Sequence, residues 1–387
     1  MAKKKLQIVD LFCGTGGFSY GFQQATNSSF ETVLGIDLLP VAIETFKANH
    51  PTATAICGDI RKLPPKEICE SLKIKRDSID LIIGGPPCQG FSSIRPFRSS
   101  SLEDPRNSLF EDFAKYVEFL RPKAIVMENV VGLATFQDGQ TINDIEQTFK
   151  NLGYVCDWKI LNAAHFGIPQ RRERLILIGI AKGKSVAFPK PTHFCDEPTI
   201  GCKEKSRMLL PPESDLFNQD IQLEQAVSVL DAISDLPAIK SGEEASHYLK
   251  PKNDYQKVRR GSNAKVDLHY STKHTPKMME IIRHSGANIS SIPKHLISSG
   301  FSSCYSRLDG TKPAVTITVN FVHPASNRCI HPICDRALTP REGARIQSFD
   351  DSFVFAGNRS QIVKQIGNAV PPLLGTILGN HLAEQLT

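Results

Sequence analysis

The chain is organised around one stretch, Ile79-Asp80-Leu81-Ile82-Ile83-Gly84-Gly85-Pro86-Pro87-Cys88-Gln89-Gly90-Phe91-Ser92. The apolar run at its start predicts a buried strand, which the two glycines end. In open α/β sheets ligands bind beyond the carboxyl ends of the strands, so Cys88 lies where a reactive group is expected. A free cysteine is usually a small buried hydrophobe. Here, however, two prolines fix the backbone before Cys88, whereas glycine and serine after it leave the backbone free to move. This pattern indicates an accessible, reactive thiol instead.

Three more strand ends carry glycine or a carboxylate. Residues 8–18 predict a strand that runs into a glycine turn, where the backbone can approach a ligand closely. The next strand ends at Asp37, which follows Gly17 by 20 residues, the spacing of an acid that binds a ribose. A third strand ends at Gly58-Asp59-Ile60. A complete dinucleotide fingerprint would need glycine where the chain has Ser19, so the turn by itself is an incomplete Rossmann match.

Strands and helices alternate throughout residues 6–180. This alternation predicts an α/β fold with a doubly wound, mostly parallel, Rossmann-like sheet. Residues 92–106, rich in serine, predict a loop, and a loop of this length is typical of a functional lid. Residues 109–120 predict an amphipathic helix, and the strand over residues 124–130 carries Glu128 near its end. That carboxylate either caps the next turn or belongs to a site.

The character of the sequence changes near residue 182. Prolines, serines and charges become frequent, and eight of the eleven histidines lie between His193 and His331. We therefore predict a first domain over residues 1–182, a second, smaller domain over residues 183–357, and a segment over residues 358–387 that returns to the first domain. In the second domain, residues 314–319 predict a strand, and Thr339-Pro340 predicts a helix start. The apolar helix that ends the chain needs a core, which the first domain offers.

The composition predicts a globular protein without a membrane partner. Hydrophobic residues make up 40% of the 387 residues, and no apolar run approaches the ~18 residues of a membrane span. Residues 1–5 are basic, but a strand pattern follows them in place of a signal peptide's apolar core. Ten irregularly spaced cysteines favour reduced thiols, so a cytoplasmic location is expected. Cys329 and Cys334 near two histidines lack a matching second pair, so no metal is predicted.

Charge is distributed unevenly over the second domain. Residues 250–312 hold twelve Lys and Arg against four Asp and Glu, whereas residues 196–244 hold four against eleven. A basic surface beside an acidic one suits a polyanion that docks on one face.

Eight motifs follow one another along the chain. They are Phe12-x-Gly14-x-Gly16-Gly17, Asp37, Gly58-Asp59-Ile60, Pro86-Pro87-Cys88-Gln89, Glu128-Asn129-Val130, Gln170-x-Arg172-x-Arg174, the helical segment 336–349 and Gly367-Asn368-Ala369-Val370. Together, and in this order, they resemble the DNA (cytosine-5)-methyltransferases of bacterial restriction-modification systems. The resemblance implies a catalytic domain that binds S-adenosylmethionine, interrupted in sequence by a target-recognition domain.

The resemblance also implies the catalytic residues, namely Cys88, Glu128, Arg172 and Arg174. C5 of cytosine is too weak a nucleophile to take a methyl group, but a thiolate that adds to C6 turns the ring into an enamine-like nucleophile. Glu128, protonated or sharing a proton, would stabilise the charge that builds at N3. Arg174 would contact the base carbonyl, with Arg172 in support.

The family's cofactor-contacting positions are matched by Phe12, Gly14, Thr15, Gly16, Gly17, Asp37, Leu38, Asp59, Ile60, Pro87, Leu109, Asn368 and Ala369. Leu38 stands where some members place an aromatic residue on the adenine, so apolar packing is expected there. A base inside a duplex must be extruded to reach Cys88, and the loop over residues 89–106 would close on it. DNA contacts are expected from Gln89, Ser92, Ser93, Arg95 and Thr316.

The expected partner is thus double-stranded DNA, bound by a monomer at the nucleoid of a bacterial cytoplasm, with a cognate restriction endonuclease acting separately. Three other interpretations share part of the pattern. A Rossmann dehydrogenase has no use for Pro-Pro-Cys88. A tRNA cytosine-5 methyltransferase shares fold and chemistry but usually has a compact recognition region, whereas about 150 residues separate the two catalytic parts here. An inactive regulator would not need Cys88, Glu128 and Arg174 intact.

Overall fold

A central sheet dominates the fold. The computed structural model describes residues 5–26, 30–87, 109–183, 185–195, 205–212, 223–297 and 300–386. Its strands are β1 (Leu6–Leu11), β2 (Phe30–Asp37), β3 (Thr54–Cys57), β4 (Leu81–Gly84), β5 (Ala124–Val130), β6 (Tyr154–Asn162), β7 (Gln170–Arg171), β8 (Glu173–Ala181), β9 (His193–Phe194), β10 (Met208–Leu209), β11 (Glu224–Gln225) and β12 (Ala314–Val315). Eight of them form one sheet, in the order β10-β6-β8-β5-β4-β1-β2-β3.

Helices lie between most of these strands. They are α1 (Gly17–Gln23), α2 (Pro40–Asn49), α3 (Pro65–Ser71), α4 (Leu109–Leu120), α5 (Gln140–Asn151), α6 (Val229–Ile233), α7 (Asp254–Arg260), α8 (Pro276–Arg283), α9 (Pro340–Ile346), α10 (Arg359–Asn368) and α11 (Pro372–Leu386). The prediction of a helix over residues 109–120 is confirmed by α4. No helix in the described ranges is both long and apolar enough to cross a membrane.

The sheet joins a parallel half to an antiparallel addition. β1 to β5 all run parallel, with β4 paired to β1 on one side and to β5 on the other. β8 is antiparallel to both β5 and β6, which makes the sheet mixed. The connection from β6 to β8 spans only residues 163–172, too short for the crossover that a parallel pair needs. The predicted α/β, Rossmann-like class is confirmed, and the short connection explains the antiparallel strand.

Helices cover both faces of the sheet. One face packs against α4 and α5 through the buried side chains of Phe113 and Phe149. The other packs against α1 and α11, which meet at Phe22 and Leu378. The apolar helix at the end of the chain therefore packs on the sheet and on α1.

The part of the chain that follows β8, which we call the second region, has a core of its own. Its buried apolar residues extend from Val229 through Phe321 and Phe355 to Ile366 of α10. The last two helices thus have different partners, since α10 packs with the second region and α11 packs on the sheet.

The strand predicted over residues 314–319 was too long. Only Ala314–Val315 is a strand, and it pairs with β7. Beyond it, side chains take the backbone groups of Ile317, whose N–H donates to Gln170 Oε1 at 2.8 Å and whose carbonyl lies 3.5 Å from Arg172 Nη1. A strand cannot continue where side chains occupy the groups that a neighbouring strand would pair with.

α9 starts as predicted. Thr339 Oγ1 accepts from the Glu342 N–H at 3.2 Å, Glu342 Oε2 accepts from the Thr339 N–H at 2.8 Å, and Pro340 takes the first helical position. This reciprocal cap satisfies two N–H groups that the helix itself cannot. Buried ion pairs anchor both ends, with Arg336 Nη2 2.7 Å from Glu342 Oε1 and Arg345 Nη2 2.6 Å from Asp351 Oδ2.

Candidate active site

The carboxyl ends of β1, β2, β4 and β5 lie side by side at one edge of the sheet. Leu11 is in register with Ile36 on one side and with Gly84 on the other, and Gly84 is in register with Met127. The next residues in these segments are the glycine turn, Asp37, residues 85–87 and Glu128. Parallel register therefore gathers at one edge groups that lie far apart in the sequence.

The glycine turn leaves β1 sharply. Phe12, Gly14 and Gly16 have φ values of 58°, 52° and 78°. A Cβ on Gly16 would lie 2.5 Å from His50 Nε2, so both the φ angle and the space behind the turn require glycine there. No described atom lies within 4 Å of a Cβ placed on Gly14. This side of the turn is thus open to a ligand.

Asp37 holds the turn in place. Its Oδ2 accepts from the Gly14 N–H at 2.9 Å, and its Oδ1 accepts from the Leu39 N–H at 2.9 Å. Burial raises the pKa of Asp37, and these backbone donors oppose that rise. The carboxylate predicted to bind a ribose therefore also fixes the turn beside it.

The other predicted cofactor residues divide into exposed and buried groups. Leu38 is 62% exposed just after β2. Asp59 caps a short helical turn, and its carboxylate pairs with Arg61 Nη2 at 2.6 Å. Asn368 is exposed and Pro87 half-buried, whereas the buried members are Thr15, Gly17, Ile60, Leu109 and Ala369.

A buried polar cluster behind the turn escapes sequence reasoning. His50 Nε2 lies 3.0 Å from Gly16 O and 3.5 Å from Ser19 Oγ. Burial raises the pKa of Asp10 to about 7 and lowers the pKa of His50 to about 4. His50 thus packs against the turn at Gly16. The local signal is Asp10, a carboxylate inside the apolar pattern of β1.

Glu128 and Arg174 form an ion pair at the end of β5. Arg174 Nε lies 2.8 Å from Glu128 Oε1, and Arg174 Nη1 donates to Glu173 O at 2.7 Å. Both side chains are largely shielded from solvent, with 16% and 12% exposure for Arg174 and Glu128. The next residue, Asn129, donates from Nδ2 to Pro86 O at 3.1 Å. The pair therefore sits beside the segment that leads to Cys88.

Arg172 lies deeper than Arg174. Its Nη1 lies 3.5 Å from Ile317 O and 3.4 Å from Gly367 O, and the residue is 4% exposed. Burial lowers the pKa of Arg172, the nearby Arg174 lowers it further, and Glu128 opposes this. The side chain of Arg172 thus contacts two other segments through their backbone carbonyls. Its catalytic role stays a prediction.

Five predicted site residues lie outside the described ranges, namely Cys88, Gln89, Ser92, Ser93 and Arg95. The structure follows their segment up to Pro87. The predicted roles of these five residues remain predictions.

Thr316 lies next to a basic cavity. Its Oγ1 donates to Arg171 O at 2.7 Å. The neighbouring cavity, of about 420 Å³, is lined by four cationic side chains and one carboxylate, those of Arg171, Arg307, Lys312, Arg328 and Asp309. Arg307 is also paired with Asp335 at 2.7 Å. The cavity carries an excess of positive charge on the side of the molecule where Thr316 was predicted to meet DNA.

Known proteins resemble the chain over nearly its whole length. The family model for C-5 cytosine-specific DNA methylase matches residues 6–384. The Type II methyltransferase M.DdeI of Desulfomicrobium norvegicum is 35% identical over 98% of this chain and 88% of its own, and M.AgeI of Thalassovita gelatinovora is 31% identical over 97% and 99%. A solved structure described as a DNA modification methyltransferase encoded within a prophage of E. coli has a TM-score of 0.73 at 25% identity and covers 98% of this chain and 99% of its own. The chain belongs to the C-5 cytosine-specific DNA methylase family and is a DNA (cytosine-5)-methyltransferase.

Proposed function

We propose that the enzyme transfers a methyl group from S-adenosylmethionine to C5 of a flipped-out cytosine in a specific short sequence of duplex DNA, through a covalent bond between Cys88 Sγ and C6. The observation that carries this proposal is the Glu128–Arg174 pair beside the segment that leads to Cys88. A thiol, an acid and a fixed cation are the groups that addition to a cytosine ring requires.

The glycine turn and Asp37 fit S-adenosylmethionine. The space beside Gly14 is open, and Leu38 offers exposed apolar surface for an adenine. A carboxylate has about four lone-pair sites, so Asp37 can accept from ribose hydroxyls while it still accepts from Gly14 and Leu39. Bound there, the cofactor supplies the electrophilic methyl group.

Cys88 makes C5 reactive. Addition of its thiolate to C6 places electron density on C5, which can then take a methyl group. Loss of the C5 proton and cleavage of the bond between C6 and Sγ afterwards restore the aromatic ring and the thiolate. Water is the acceptor of that proton in this scheme.

Glu128 and Arg174 stabilise the ring as sulfur adds. Glu128 holds a proton at N3 and accepts from the exocyclic amine, while Arg174 donates to the base carbonyl. In the structure Arg174 Nε lies 2.8 Å from Glu128 Oε1 and Nη1 donates to Glu173 O, so the guanidinium is already held beside the proposed acid.

DNA docks on the side of the basic cavity. Its cations would neutralise backbone phosphates, and Thr316 would contact the backbone nearby. The enzyme extrudes the target base. The segment predicted to close on it, residues 89–106, lies outside the described residues. Acting as a monomer, it would protect its site from a cognate restriction endonuclease that acts separately.

Bisulfite mapping of DNA from cells that express the protein tests the proposed function. We expect 5-methylcytosine at one position of a short recurrent sequence. Methyl groups on adenine N6 or cytosine N4 would contradict the proposal, because exocyclic nitrogens need no thiol. So would preferential methylation of tRNA by the purified enzyme.

Asp37→Ala should weaken binding of S-adenosylmethionine. The change removes hydrogen bonds to a charged acceptor, worth roughly 1.5–3 kcal/mol each, and it also frees the Gly14 N–H. Isothermal titration calorimetry with the cofactor measures the loss. The matched control is Asp144→Ala on the exposed surface of α5. Unchanged affinity in Asp37→Ala would move the ribose site elsewhere.

Lys312→Gln in the basic cavity should weaken binding to all duplex DNA alike. If Lys312 neutralises one phosphate, the slope of log affinity against log salt should fall by about 1. Fluorescence anisotropy at several salt concentrations measures this slope. Lys75→Gln serves as control. Lys75 lies by Gln7 and Thr54, near the amino ends of β1 and β3, and does not line the basic cavity. Equal slopes for Lys312→Gln and the wild type would exclude the cavity from the DNA interface.

A further inference from the structure

Two buried glutamines meet between β7 and the end of α9. Gln170 belongs to β7, and Gln347 follows the last residue of α9. Both are 0% exposed, and Gln170 Nε2 donates to Gln347 Oε1 at 2.8 Å although 177 residues separate them. A buried amide is costly unless its groups are satisfied, so each should have further partners.

Backbone groups fix the orientation of both amides. The Ile317 N–H donates to Gln170 Oε1 at 2.8 Å. Because an N–H can only donate, the oxygen of Gln170 must face Ile317 and its NH₂ must face Gln347. The NH₂ of Gln347 then faces two acceptors, Ile366 O at 2.7 Å and Ala369 O at 3.4 Å. Every link requires the same assignment, so the chain of bonds has a single direction. We call Gln170 and Gln347 the glutamine relay.

One end of the relay lies next to the proposed DNA-binding surface and the other end lies next to the proposed cofactor site. On one side, Ile317 directly follows Thr316, the proposed DNA contact. On the other side, Ile366 and Ala369 flank Asn368, a proposed cofactor contact. The relay therefore spans from the DNA side to the cofactor side through two side chains.

A second contact ties the same two segments together. Arg172 Nη1 approaches both Ile317 O and Gly367 O. A Cβ on Gly367 would lie 2.5 Å from the carbonyl of Thr318, so the backbones of α10 and residues 318–319 touch directly. Neither segment can shift by itself without a clash or the loss of a buried hydrogen bond.

We propose that Gln170 and Gln347 are positioning residues that couple cofactor binding to DNA binding, a proposal that rests on the function proposed above. A ligand that fixes residues 366–369 fixes Gln347, then Gln170 and Ile317, and so sets the DNA-facing segment in its bound arrangement. Coupling of this kind is reciprocal, so DNA tightens cofactor binding by the same factor.

The test measures duplex DNA affinity with and without S-adenosylhomocysteine, on a duplex that carries the mapped target site. We expect the wild type to bind DNA at least about 5-fold more tightly with S-adenosylhomocysteine, the lower end of typical coupling. Gln170→Met and Gln347→Met should each bring this factor close to 1. The double variant should show no further loss, because residues that act in series are not additive.

Gln256→Met is the matched control. Gln256 is equally buried and donates to Asp231 O and Ser234 Oγ, but it contacts neither proposed binding surface. It should keep the wild-type coupling factor. A loss of coupling in Gln256→Met as large as in the relay variants would assign the effect to general loosening of the second region.

Gln170→Glu separates coupling from stability. An ionised carboxylate keeps the acceptor for Ile317 but turns a second acceptor towards Gln347 Oε1, so coupling should be lost at high pH. As pH falls and the introduced group takes up a proton, it can donate to Gln347, and coupling should return. A purely structural role would not produce this return.

Two results would overturn the proposal. One is a wild type that binds both ligands without any effect of one on the other. The other is a coupling factor that persists in folded Gln170→Met, Gln347→Met and ionised Gln170→Glu. A wild type that binds no S-adenosylhomocysteine at all would instead refute the proposed function.

Discussion

Duplex DNA with 5-fluorocytosine at the target position should trap the enzyme as a covalent complex. If Cys88 adds to C6 and C5 takes the methyl group, release requires loss of the C5 substituent as a cation. A proton can leave in this way and fluorine cannot. The reaction should therefore stop with Cys88 bonded to methylated DNA. A denaturing gel shows the adduct, and mass spectrometry of the digested complex identifies the attached cysteine.

Three controls sharpen the fluorocytosine experiment. The adduct should require S-adenosylmethionine, and Cys88→Ser should form none, since a hydroxyl lacks the nucleophilicity of a thiolate, while still binding DNA and cofactor. Cys57→Ser removes an exposed thiol and should trap as well as the wild type. Attachment at Cys13 would refute the mechanism, and burial already argues against it by raising the pKa of that thiol well above its usual value.

Strand ends made the placement of several candidate site residues predictable from the sequence. The glycine turn, Asp37 and Glu128 each follow or end an apolar run, and parallel strands bring such positions to one edge. The same logic predicted α4 and the cap at Thr339, because helix periodicity and capping depend on residues a few positions apart. These features are local, so a single sequence reveals them.

Features that depend on distant contacts were not predictable in this way. The Glu128–Arg174 ion pair depends on β8 running antiparallel to β5. The periodicity of a sequence does not reveal the direction in which a strand runs. Residues 317–319 have a strong strand pattern, yet Gln170 and Arg172 take the backbone groups of Ile317. Local propensity yields where tertiary contacts offer the backbone other partners.

Glu128→Gln should lower kcat by about 10²-fold or more, the loss expected when a main charge-stabilising group is removed. The amide keeps the shape of the side chain and an oxygen that can still lie against Arg174, so the fold should persist although the charge of the pair is lost. It cannot hold a transferable proton at N3 as negative charge builds on the ring. Single-turnover methylation with labelled S-adenosylmethionine measures the step directly.

The Glu128→Gln result is informative only if binding is intact. Affinity for S-adenosylmethionine should be unchanged, because the proposed cofactor contacts at Gly14 and Asp37 follow or end other strands, β1 and β2. Glu118→Gln on the exposed surface of α4 is the matched control and should keep the wild-type rate. Arg174→Gln should also be slow, and the double variant should lose less than the product of the two single effects, because groups that stabilise one ring act as a unit. A near wild-type rate in Glu128→Gln would show that another group serves N3 and would remove the acid from the proposed mechanism.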